Sequence, residues 1–310
     1  MVDRPEKLML LDSASLYFRA FYGMKESITA PDGTPVNAVR GFLDFIARLV
    51  TDHGPTRLVC CWDDDWRPEF RVAAIPSYKA HRVADEAVNA EEVPDTLSPQ
   101  VPVIADVLAA YGIARVGAAG YEADDVIGTL AARSAVPVDV VTGDRDLFQV
   151  VDDARGVRVL YTAKGGVARA EVVTESVIQE RYGVPPQSYA DFAALRGDPS
   201  DGLPGVPGVG EKTAASLITA YGDLDGILSA AEAGDPAVRA SLHDKVLAAR
   251  DYLAVAPTVV RVALDVPIVL DDDRLPAAPA DPAALGELAN RWGLTTSVAR
   301  LSATLARSAL

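Results

Sequence analysis

The 310-residue sequence predicts an α/β fold in which a mostly parallel sheet is followed by a smaller helical region. In the first 175 residues, short apolar runs alternate with segments of helical periodicity, which is typical of strand–helix–strand units. After about residue 175 the strand-like runs nearly stop, and glycine and proline separate short helical segments. A chain of this length has room for one large domain or two medium ones.

The strands and helices of the first region are predicted from apolar periodicity. Buried strands are expected at residues 7–12, 57–63, 113–116 and 138–142, where short apolar runs occur. Helices are expected at residues 36–50, 101–111 and 122–132, where apolar residues recur three and four positions apart. Residues 67–100 are polar and contain Pro94 and Pro99, so we expect an excursion from the core there.

Acidic residues follow several of these strands. Asp12, Asp63 and Asp144 fall at or just after predicted strand ends. Ligands of parallel sheets bind outside the carboxyl ends of the strands, so these acids are expected to meet. Each acid alone would also fit a turn or a helix cap. The set as a whole predicts a divalent-metal site for phosphoryl chemistry.

Three acids at the start of the helix at 122–132 strengthen this interpretation. Glu122, Asp124 and Asp125 lie within four residues, and one acid would suffice to complement the helix dipole. Like charges ~4 Å apart repel by about 1 kcal/mol in water and about 4 kcal/mol at an effective dielectric constant of 20. Metal ligation therefore explains the cluster better than capping does.

The second region contains a glycine-rich hairpin before a predicted helix. Helices are expected at residues 176–182, 188–195, 212–221 and 238–254, and the tail from residue 271 predicts a loop and one closing helix. The hairpin at 203–213 is not a P-loop, because Glu211 rather than glycine precedes Lys212. It fits a helix–hairpin–helix that grips a nucleic-acid phosphate, and it fits an ordinary turn between helices equally well.

Composition excludes several classes of protein. No apolar run approaches the ~20 residues that span a bilayer, and the adjacent Cys60 and Cys61 are expected to be buried thiols. The three histidines lack zinc-ligand spacing and no GxSxG motif occurs, so neither a zinc site nor a serine hydrolase is expected. The net charge of −15 argues against nucleic acid unless the acids hold cations. A cytoplasmic, nucleoid-associated protein is expected.

Taken together, the motifs resemble those of the structure-specific 5′-nucleases, which include flap endonucleases and the 5′-nuclease domain of bacterial DNA polymerase I. The resemblance covers roughly the first 270 residues and rests on these segments, in order: LLDSASLYFRAFY, GFLDFIARL, CWDDDWRPEFR, YKAHR, GYEADDVIGTLA, VTGDRDLFQ and GDPSDGLPGVPGVGEKTA. It implies a PIN-like nuclease core at residues 1–175, with a helical arch at about 67–105. A helix–three-turn–helix region at 176–270 and a C-terminal loop and helix at 271–310 that packs on the core are also expected.

The resemblance assigns roles residue by residue. It implies that one metal group is formed by Asp12, Asp63, Glu122 and Asp124. It implies a second group formed by Asp125, Asp144, Asp146, Asp198 and Asp201. Lys79 and Arg82 match arch residues that orient the scissile phosphate. Candidate DNA contacts are Arg19, Arg67, Arg71, Gly208, Gly210, Lys212 and Thr213, and the candidate potassium site is Leu203, Val206 and Val209. One departure is Gly202, where relatives often carry asparagine.

The function expected from this resemblance is metal-dependent cleavage of DNA. The chain would act as a 5′-flap endonuclease and 5′–3′ exonuclease with two or more Mg²⁺ or Mn²⁺ ions and potassium at the hairpin. Its substrates would be DNA with a 5′ flap, nick or gap and RNA–DNA primer junctions, and it would be a free-standing monomer. The alternatives are a non-catalytic DNA-structure-binding protein, an RNA-cleaving member of the wider fold and an acidic metal buffer.

Overall fold

The computed structural model describes residues 5–85, 90–236 and 240–308. Its strands are β1 (Leu8–Asp12), β2 (Arg57–Cys61), β3 (Val83–Asp85), β4 (Ala90–Glu91), β5 (Ala114–Val116), β6 (Val138–Thr142), β7 (Val157–Tyr161) and β8 (Glu171–Val173). Its first helices are α1 (Ser13–Gly23), α2 (Asn37–His53), α3 (Glu69–Ala74), α4 (Gln100–Tyr111), α5 (Ala123–Arg133), α6 (Glu175–Tyr182) and α7 (Tyr189–Arg196). The remaining helices are α8 (Glu211–Tyr221), α9 (Leu224–Glu232), α10 (Ala240–Ala248), α11 (Arg250–Val260), α12 (Pro282–Arg291) and α13 (Thr295–Ser308).

A six-stranded sheet forms the centre of the molecule, in the order β5-β2-β1-β6-β7-β8. All pairings in this sheet are parallel except β7 with β8. The central strands β1, β2 and β6 therefore end at the same edge of the sheet. This arrangement confirms the predicted α/β fold with its mostly parallel sheet.

Alternate residues of the central strands face two hydrophobic cores, as the twofold repeat of a strand requires. Leu8 and Leu10 of β1 lie in one core, which continues through α5 into the helices of the second region. Met9 and Leu11 lie in the other core, with residues of α1, α2, α4, α12 and α13. The helical region thus packs on one face of the sheet and the C-terminal helices pack on the opposite face.

Several elements differ from the sequence-based expectation. The sequence pattern does not predict the strands β7 and β8 or the helices α1 and α9. The helix expected at 238–254 is divided between α10 and α11, with residues 237–239 outside the described ranges, and the tail contains two helices rather than one. For β7 and β8, packing between distant segments decides the structure more than local periodicity does.

Among its described residues, the segment at 67–105 is helical only in part. Between β2 and α4 the described residues form the six-residue helix α3, a 3₁₀ turn at Ala80–Arg82 and the two-stranded β3–β4 hairpin, with residues 86–89 outside the described ranges. Pro68, Pro76, Pro94 and Pro99 interrupt the segment, and proline inside a helix removes a hydrogen bond and clashes with the preceding turn. We refer to residues 67–99 as the arch segment.

Within the described ranges, none of the helices is both long and apolar enough to cross a membrane.

Candidate metal centre and DNA-binding hairpin

A cavity of about 260 Å³ opens at the sheet edge where β1, β2 and β6 end. Six acidic side chains and two cationic ones line it: Asp12, Asp63, Glu91, Glu122, Asp124, Asp144, Lys79 and Arg82. The structure therefore brings together acids that are up to 132 residues apart in the sequence. The excess of carboxylates makes the cavity a strong attractor for cations.

Asp12 is the last residue of β1 and also the N-cap of α1. Its Oδ1 accepts a hydrogen bond from the backbone N–H of Ser15 at 3.1 Å, and its Oδ2 accepts one from the Thr142 hydroxyl at 2.6 Å. Burial, together with Asp63 and Asp144, raises the pKa of Asp12 to about 7, although these hydrogen bonds oppose the rise. A bound cation would remove this cost of ionisation.

Asp63 and Asp124 face the same cavity from two different elements. Asp63 follows β2 and accepts a hydrogen bond from the backbone N–H of Ala123 at 2.7 Å, which ties it to the start of α5. Burial raises the pKa of Asp63, and nearby Glu122 raises it further. Burial and the charges of Asp12 and Asp144 hold the pKa of Asp124 well above its usual range. Too few cationic side chains lie near these carboxylates for all of them to be ionised at the same time.

Glu122 differs from these acids because it has three protein donors. Tyr78 donates its hydroxyl at 2.7 Å, the Arg71 guanidinium lies 3.0 Å away, and the Lys79 ammonium also donates to it. Burial opposes the ionisation of Glu122, but the charges of Lys79 and Arg71 outweigh it and lower the pKa. Glu122 is therefore ionised and oriented by the arch segment.

Asp125 lies beneath the cavity rather than in it. It is fully buried, and its Oδ1 accepts hydrogen bonds from Arg71 at 2.7 Å and from the backbone N–H of Ala263 at 2.8 Å. Its Oδ2 accepts the backbone N–H of Glu122 at 3.2 Å, which completes a capping box at the start of α5. These contacts indicate a structural role in orienting Glu122 and anchoring the segment after α11.

Arg71 does not lie on the surface where a DNA contact requires it. Its side chain is 3% exposed and pairs with Glu122 and Asp125. Burial disfavours its charge, but the two carboxylates raise its pKa above the ordinary value. This enclosure argues against the expectation that Arg71 binds DNA, because a guanidinium between two buried carboxylates is not accessible to a phosphate.

The other acids form a second group beside the cavity, which we call the outer acids: Asp144, Asp146, Asp198 and Asp201. Asp144 joins the two groups, because it lines the cavity and its Oδ1 accepts the backbone N–H of Asp146 at 2.8 Å. Burial and the charges of Asp144, Asp201 and Asp198 hold the pKa of Asp146 well above its usual range. The outer acids are thus close enough to repel one another.

The arch segment docks on the loop that carries Asp198 and Asp201. The backbone N–H of Lys79 donates to the carbonyl of Asp201 at 3.0 Å, and Arg82 donates to the Asp201 carboxylate at 3.1 Å and to the carbonyl of Ser200 at 2.7 Å. Lys79 has φ +47°, a left-handed conformation that costs a non-glycine residue of order 1 kcal/mol or more. Docking therefore holds the two candidate phosphate-binding cations at the cavity.

Gly202 permits this docking. Its φ is +72°, and a Cβ at this position would lie 2.1 Å from the carbonyl oxygen of Ser77. The hydroxyl of Ser77 also donates to the carbonyl of Gly202 at 2.8 Å. The departure noted in the sequence therefore has a steric reason: the arch segment lies where a side chain would be.

Two candidate DNA-binding arginines remain: Arg19 lies at the rim of the cavity, and Arg67 lies on the arch segment. Arg19 of α1 is partly buried, its guanidinium lies beside Gly143 at the end of β6, and its Nε has no hydrogen-bond partner in the described chain. Arg67 donates to the backbone carbonyl of Tyr78 at 2.6 Å and is partly buried. Arg67 therefore helps to shape the arch segment.

The hairpin between α7 and α8 presents backbone groups at the surface next to the outer acids. Asp198 and Leu203 exchange backbone hydrogen bonds of 3.0 and 2.8 Å, and the N–H of Val209 donates to the carbonyl of Val206 at 2.9 Å. The side chains of the candidate potassium residues Leu203, Val206 and Val209 are buried, which leaves only their backbone for a ligand. Gly208, Gly210 and Lys212 are exposed, and Thr213 is partly exposed, at the start of α8.

The sequence pattern does not predict several side chains that lie at the candidate site. Ser15 and Phe18 of α1, Trp66 just before the arch segment and Glu91 of β4 also line the cavity. Lys245 of α10 comes close to Gly208 of the hairpin. A helical pattern after Asp12 could have signalled Ser15 and Phe18. No local signal could have placed Lys245, because its position depends on how α10 packs against the hairpin.

The donor chemistry of the cavity fits a hydrated divalent cation. Among residues 5–85, 90–236 and 240–308, no three acidic, histidine or cysteine side chains form a closed ligand group. Mg²⁺ does not require a closed group, because it retains several waters and binds through one or two carboxylates plus substrate phosphates. The oxygen-only donors and the high carboxyl pKa values of Asp12 and Asp124 favour that type of site.

Comparison with known proteins identifies the family. Residues 7–183 match the family model described as 5′-3′ exonuclease, N-terminal resolvase-like domain, and residues 184–283 match 5′-3′ exonuclease, C-terminal SAM fold. The chain is 63% identical over 300 residues to a Streptomyces coelicolor 5′-3′ exonuclease, covering 96% of this chain and 99% of that protein. It is 54% identical over 310 residues to a Mycobacterium tuberculosis 5′-3′ exonuclease, covering 96% and 97%.

More distant relatives extend the comparison. DNA polymerase I of Mycobacterium leprae is 41% identical over 284 residues, which cover 88% of this chain and 29% of the polymerase. The structure of T5 5′-exonuclease with bound zinc aligns with a TM-score of 0.62 at 16% identity, covering 98% of this chain and 100% of that one. Human GEN1 in complex with Holliday junction DNA aligns with a TM-score of 0.66 at 18% identity, covering 98% and 73%, and these two likenesses concern the fold. On the family models and the full-length relatives together, the chain belongs to the 5′–3′ exonuclease family.

Proposed function

We propose that this 5′–3′ exonuclease cleaves phosphodiester bonds with two or more divalent cations, Mg²⁺ or Mn²⁺, and that it acts at 5′ flaps as well as at DNA ends. The observation that carries the proposal is the cavity itself, which is lined by six carboxylates and only two cationic side chains. The 5′ flaps, nicks, gaps and RNA–DNA primer junctions expected from the sequence are its proposed substrates, and 5′-phosphates its proposed products. We propose that it acts as a monomer in the cytoplasm, where it associates with the nucleoid.

Two groups of acidic residues would bind separate cations. Asp12, Asp63, Glu122, Asp124 and Asp144 would hold the ions nearest the scissile phosphate, and the outer acids Asp146, Asp198 and Asp201 would hold a further ion. When bound, the metal ions supply Lewis-acid stabilisation of the phosphate and an activated water nucleophile. Asp125 and Arg71 would act as positioning residues, because they fix Glu122.

Lys79 and Arg82 bring positive charge to the reacting phosphate. Both line the cavity, and both are fixed by the docking of the arch segment on the loop that carries Asp201. Charge placed in advance where negative charge develops stabilises a transition state without reorganisation. The Lys79 ammonium is paired with Glu122, so we propose that the lysine stabilises the phosphate from beside the metal ligands.

The hairpin would position the duplex. Gly208, Gly210, Lys212 and Thr213 lie at the start of α8, where free backbone N–H groups and the helix dipole favour a phosphate. Lys245 adds a cation beside Gly208, and a potassium ion at the backbone of Leu203, Val206 and Val209 would contribute further. Because the hairpin adjoins Asp198, a phosphate gripped there would set the distance to the cleavage site.

The experiment that tests this proposal replaces Asp124 by asparagine. Loss of partners behind a metal ligand typically costs 10–100-fold in activity, so loss of a ligand oxygen is expected to cost at least about 100-fold in cleavage. Binding of a flap duplex in Ca²⁺ should change little, because the hairpin is untouched. Asp106→Asn is the matched control, since Asp106 is exposed on α4 and the change in charge is the same. Cleavage by Asp124→Asn at the wild-type rate would contradict the proposed centre.

A further inference from the structure

Arg196 is the last residue of α7, and its positively charged side chain lies among the outer acids. Its side chain is only 11% exposed, and its guanidinium lies 5.6 Å from the centre of the Phe192 ring. Burying a cation is costly unless anions compensate it. The position of Arg196 therefore depends on the carboxylates around it.

Two carboxylates compensate this guanidinium. Its Nη2 lies 3.3 Å from the Oδ2 of Asp198, and its Nη1 lies 3.5 Å from Glu211, the first residue of α8. The Nη1 makes no hydrogen bond within the described chain, so the contact with Glu211 is an ion pair of imperfect geometry. Glu211 is half exposed and also lies 3.7 Å from Arg145, so it divides its charge between two arginines.

Both carboxylate oxygens of Asp198 therefore have a protein partner. Its Oδ1 accepts the backbone N–H of Ser200 at 2.9 Å, and its Oδ2 faces Arg196. The charge of Arg196 also reaches Asp146, where it opposes the repulsion from the other outer acids. A divalent cation at the outer acids must therefore bind in competition with a cation that belongs to the protein.

We propose that Arg196 weakens the outer divalent-cation site and that Glu211 limits this weakening by drawing part of the guanidinium charge away. The inference rests on the proposed function, because it assumes that the outer acids bind a cation at all. Removal of a unit positive charge next to a cation site changes the affinity on the order of tenfold. The affinity of the outer site would thus be set by an ion pair that joins α7 to the first residue of the hairpin helix.

The opposite role for Arg196 makes the opposite prediction. If Arg196 served only to orient Asp198, its removal would leave a loose ligand and weaken the outer site. Arg196→Met keeps the length and the contact with Phe192 but removes the charge, so the direction of the change in affinity separates the two roles. Glu211→Gln, at an exposed position, should move the affinity the other way.

The experiment measures Mn²⁺ binding without DNA, by titration calorimetry and by electron paramagnetic resonance of free Mn²⁺. We expect the wild-type protein to show a tighter and a weaker class of Mn²⁺ site. Arg196→Met should tighten the weaker class about tenfold and leave the tighter class nearly unchanged, and Glu211→Gln should loosen the weaker class. The exposed ion pair of Arg250 with Glu232 supplies the controls Arg250→Met and Glu232→Gln, which repeat the charge changes on α11 and α9.

Each outcome decides the question. An unchanged or loosened weaker class in Arg196→Met, or the same shift in the controls, overturns the proposal. If Arg196→Met does not fold, Glu211→Gln decides: a loosened weaker class supports the proposal, and an unchanged or tightened one overturns it. A single class in the wild-type protein overturns this inference while leaving a metal centre, whereas the absence of Mn²⁺ binding overturns the proposed function as well.

Discussion

Arg71 carries its charge in the interior of the protein, between two carboxylates at the start of α5. Its contact with Glu122 orients a candidate metal ligand. Its contact with Asp125 orients the carboxylate that anchors the chain after α11. A surface cation near DNA would contribute through long-range attraction to phosphate. This buried cation instead holds together the local architecture of the site.

Arg71→Met should therefore destabilise the fold. Breaking a buried ion pair by removing one partner typically costs about 3–5 kcal/mol, because the remaining charges stay buried without compensation. Urea unfolding of the metal-free protein measures this loss. Arg48→Met is the control, since Arg48 is half exposed in a surface pair with Asp52, and exposed pairs contribute only about 0–1 kcal/mol. Normal stability with weakened DNA binding would instead return Arg71 to the DNA interface.

At the residue scale, the sequence indicated which side chains carry the chemistry better than it indicated their surroundings. The acids of the cavity follow strand ends, so a local pattern was enough to expect Asp12, Asp63 and Asp144 at one edge. Arg71 and Lys79 look alike in the sequence, since both are cations of the arch segment. Only the packing of α3 against α11 shows that Arg71 is enclosed and that Lys79 reaches the cavity.

The arch segment and the loop at 198–202 act as a single element, although about 120 residues separate them. Hydrogen bonds join them: Lys79 to the backbone of Asp201, Arg82 to the carbonyl of Ser200 and to the Asp201 carboxylate, and Ser77 to Gly202. The position of the two candidate phosphate-binding cations consequently depends on this loop, and so on the absence of a side chain at residue 202.

Gly202→Ala should displace Lys79 and slow cleavage. Its Cβ would lie 2.1 Å from the Ser77 carbonyl oxygen, so the arch segment must move, and a misplacement of about 1 Å can cost ~100-fold in rate. Gly33→Ala is the control, because Gly33 also has positive φ (+92°) but has open space around it. Single-turnover cleavage of a flap duplex is the measurement. Equal effects of the two variants would mean that backbone strain, rather than docking, explains the loss.

The hairpin is the other element with a separable role. Lys212→Ala should weaken duplex binding similarly for all sequences and reduce the slope of log affinity against log salt by about 1, because one phosphate contact is lost. Fluorescence anisotropy in Ca²⁺ between 50 and 200 mM salt measures this. Arg48→Ala, remote on α2, should leave the slope unchanged. An unchanged slope in Lys212→Ala would remove Lys212 from the interface.

Elements with strong local patterns were predicted well, and those fixed by distant contacts were not. The strands β1, β2 and β6 and the helices α2, α4 and α5 occupy nearly the expected residues, because each buries a continuous apolar face. The strands β7 and β8 escaped prediction because they depend on pairing at one side of the sheet. The described part of the arch segment is helical only in short stretches, because prolines interrupt it and its contacts are made with residues 198–202.

At the scale of the whole molecule, the residues that stabilise the fold and those of the candidate site lie on different parts of the sheet. Its two faces bury two hydrophobic cores, whereas its carboxyl edge collects the acids, the arch segment and the loop before the hairpin. The helical region continues one of these cores, so the hairpin is held at a fixed position relative to the cavity. The net charge of −15 is compatible with a DNA substrate if bound cations neutralise the acids that face it.

The most direct test of this account is cleavage of a 5′-labelled flap duplex in Mg²⁺, in Mn²⁺ and in EDTA. The account predicts cuts near the flap junction in either metal and none in EDTA, because the cavity carboxylates cannot bind the scissile phosphate without cations. Undiminished cleavage in EDTA, or binding of the flap without cleavage in both metals, would contradict the proposed metal centre.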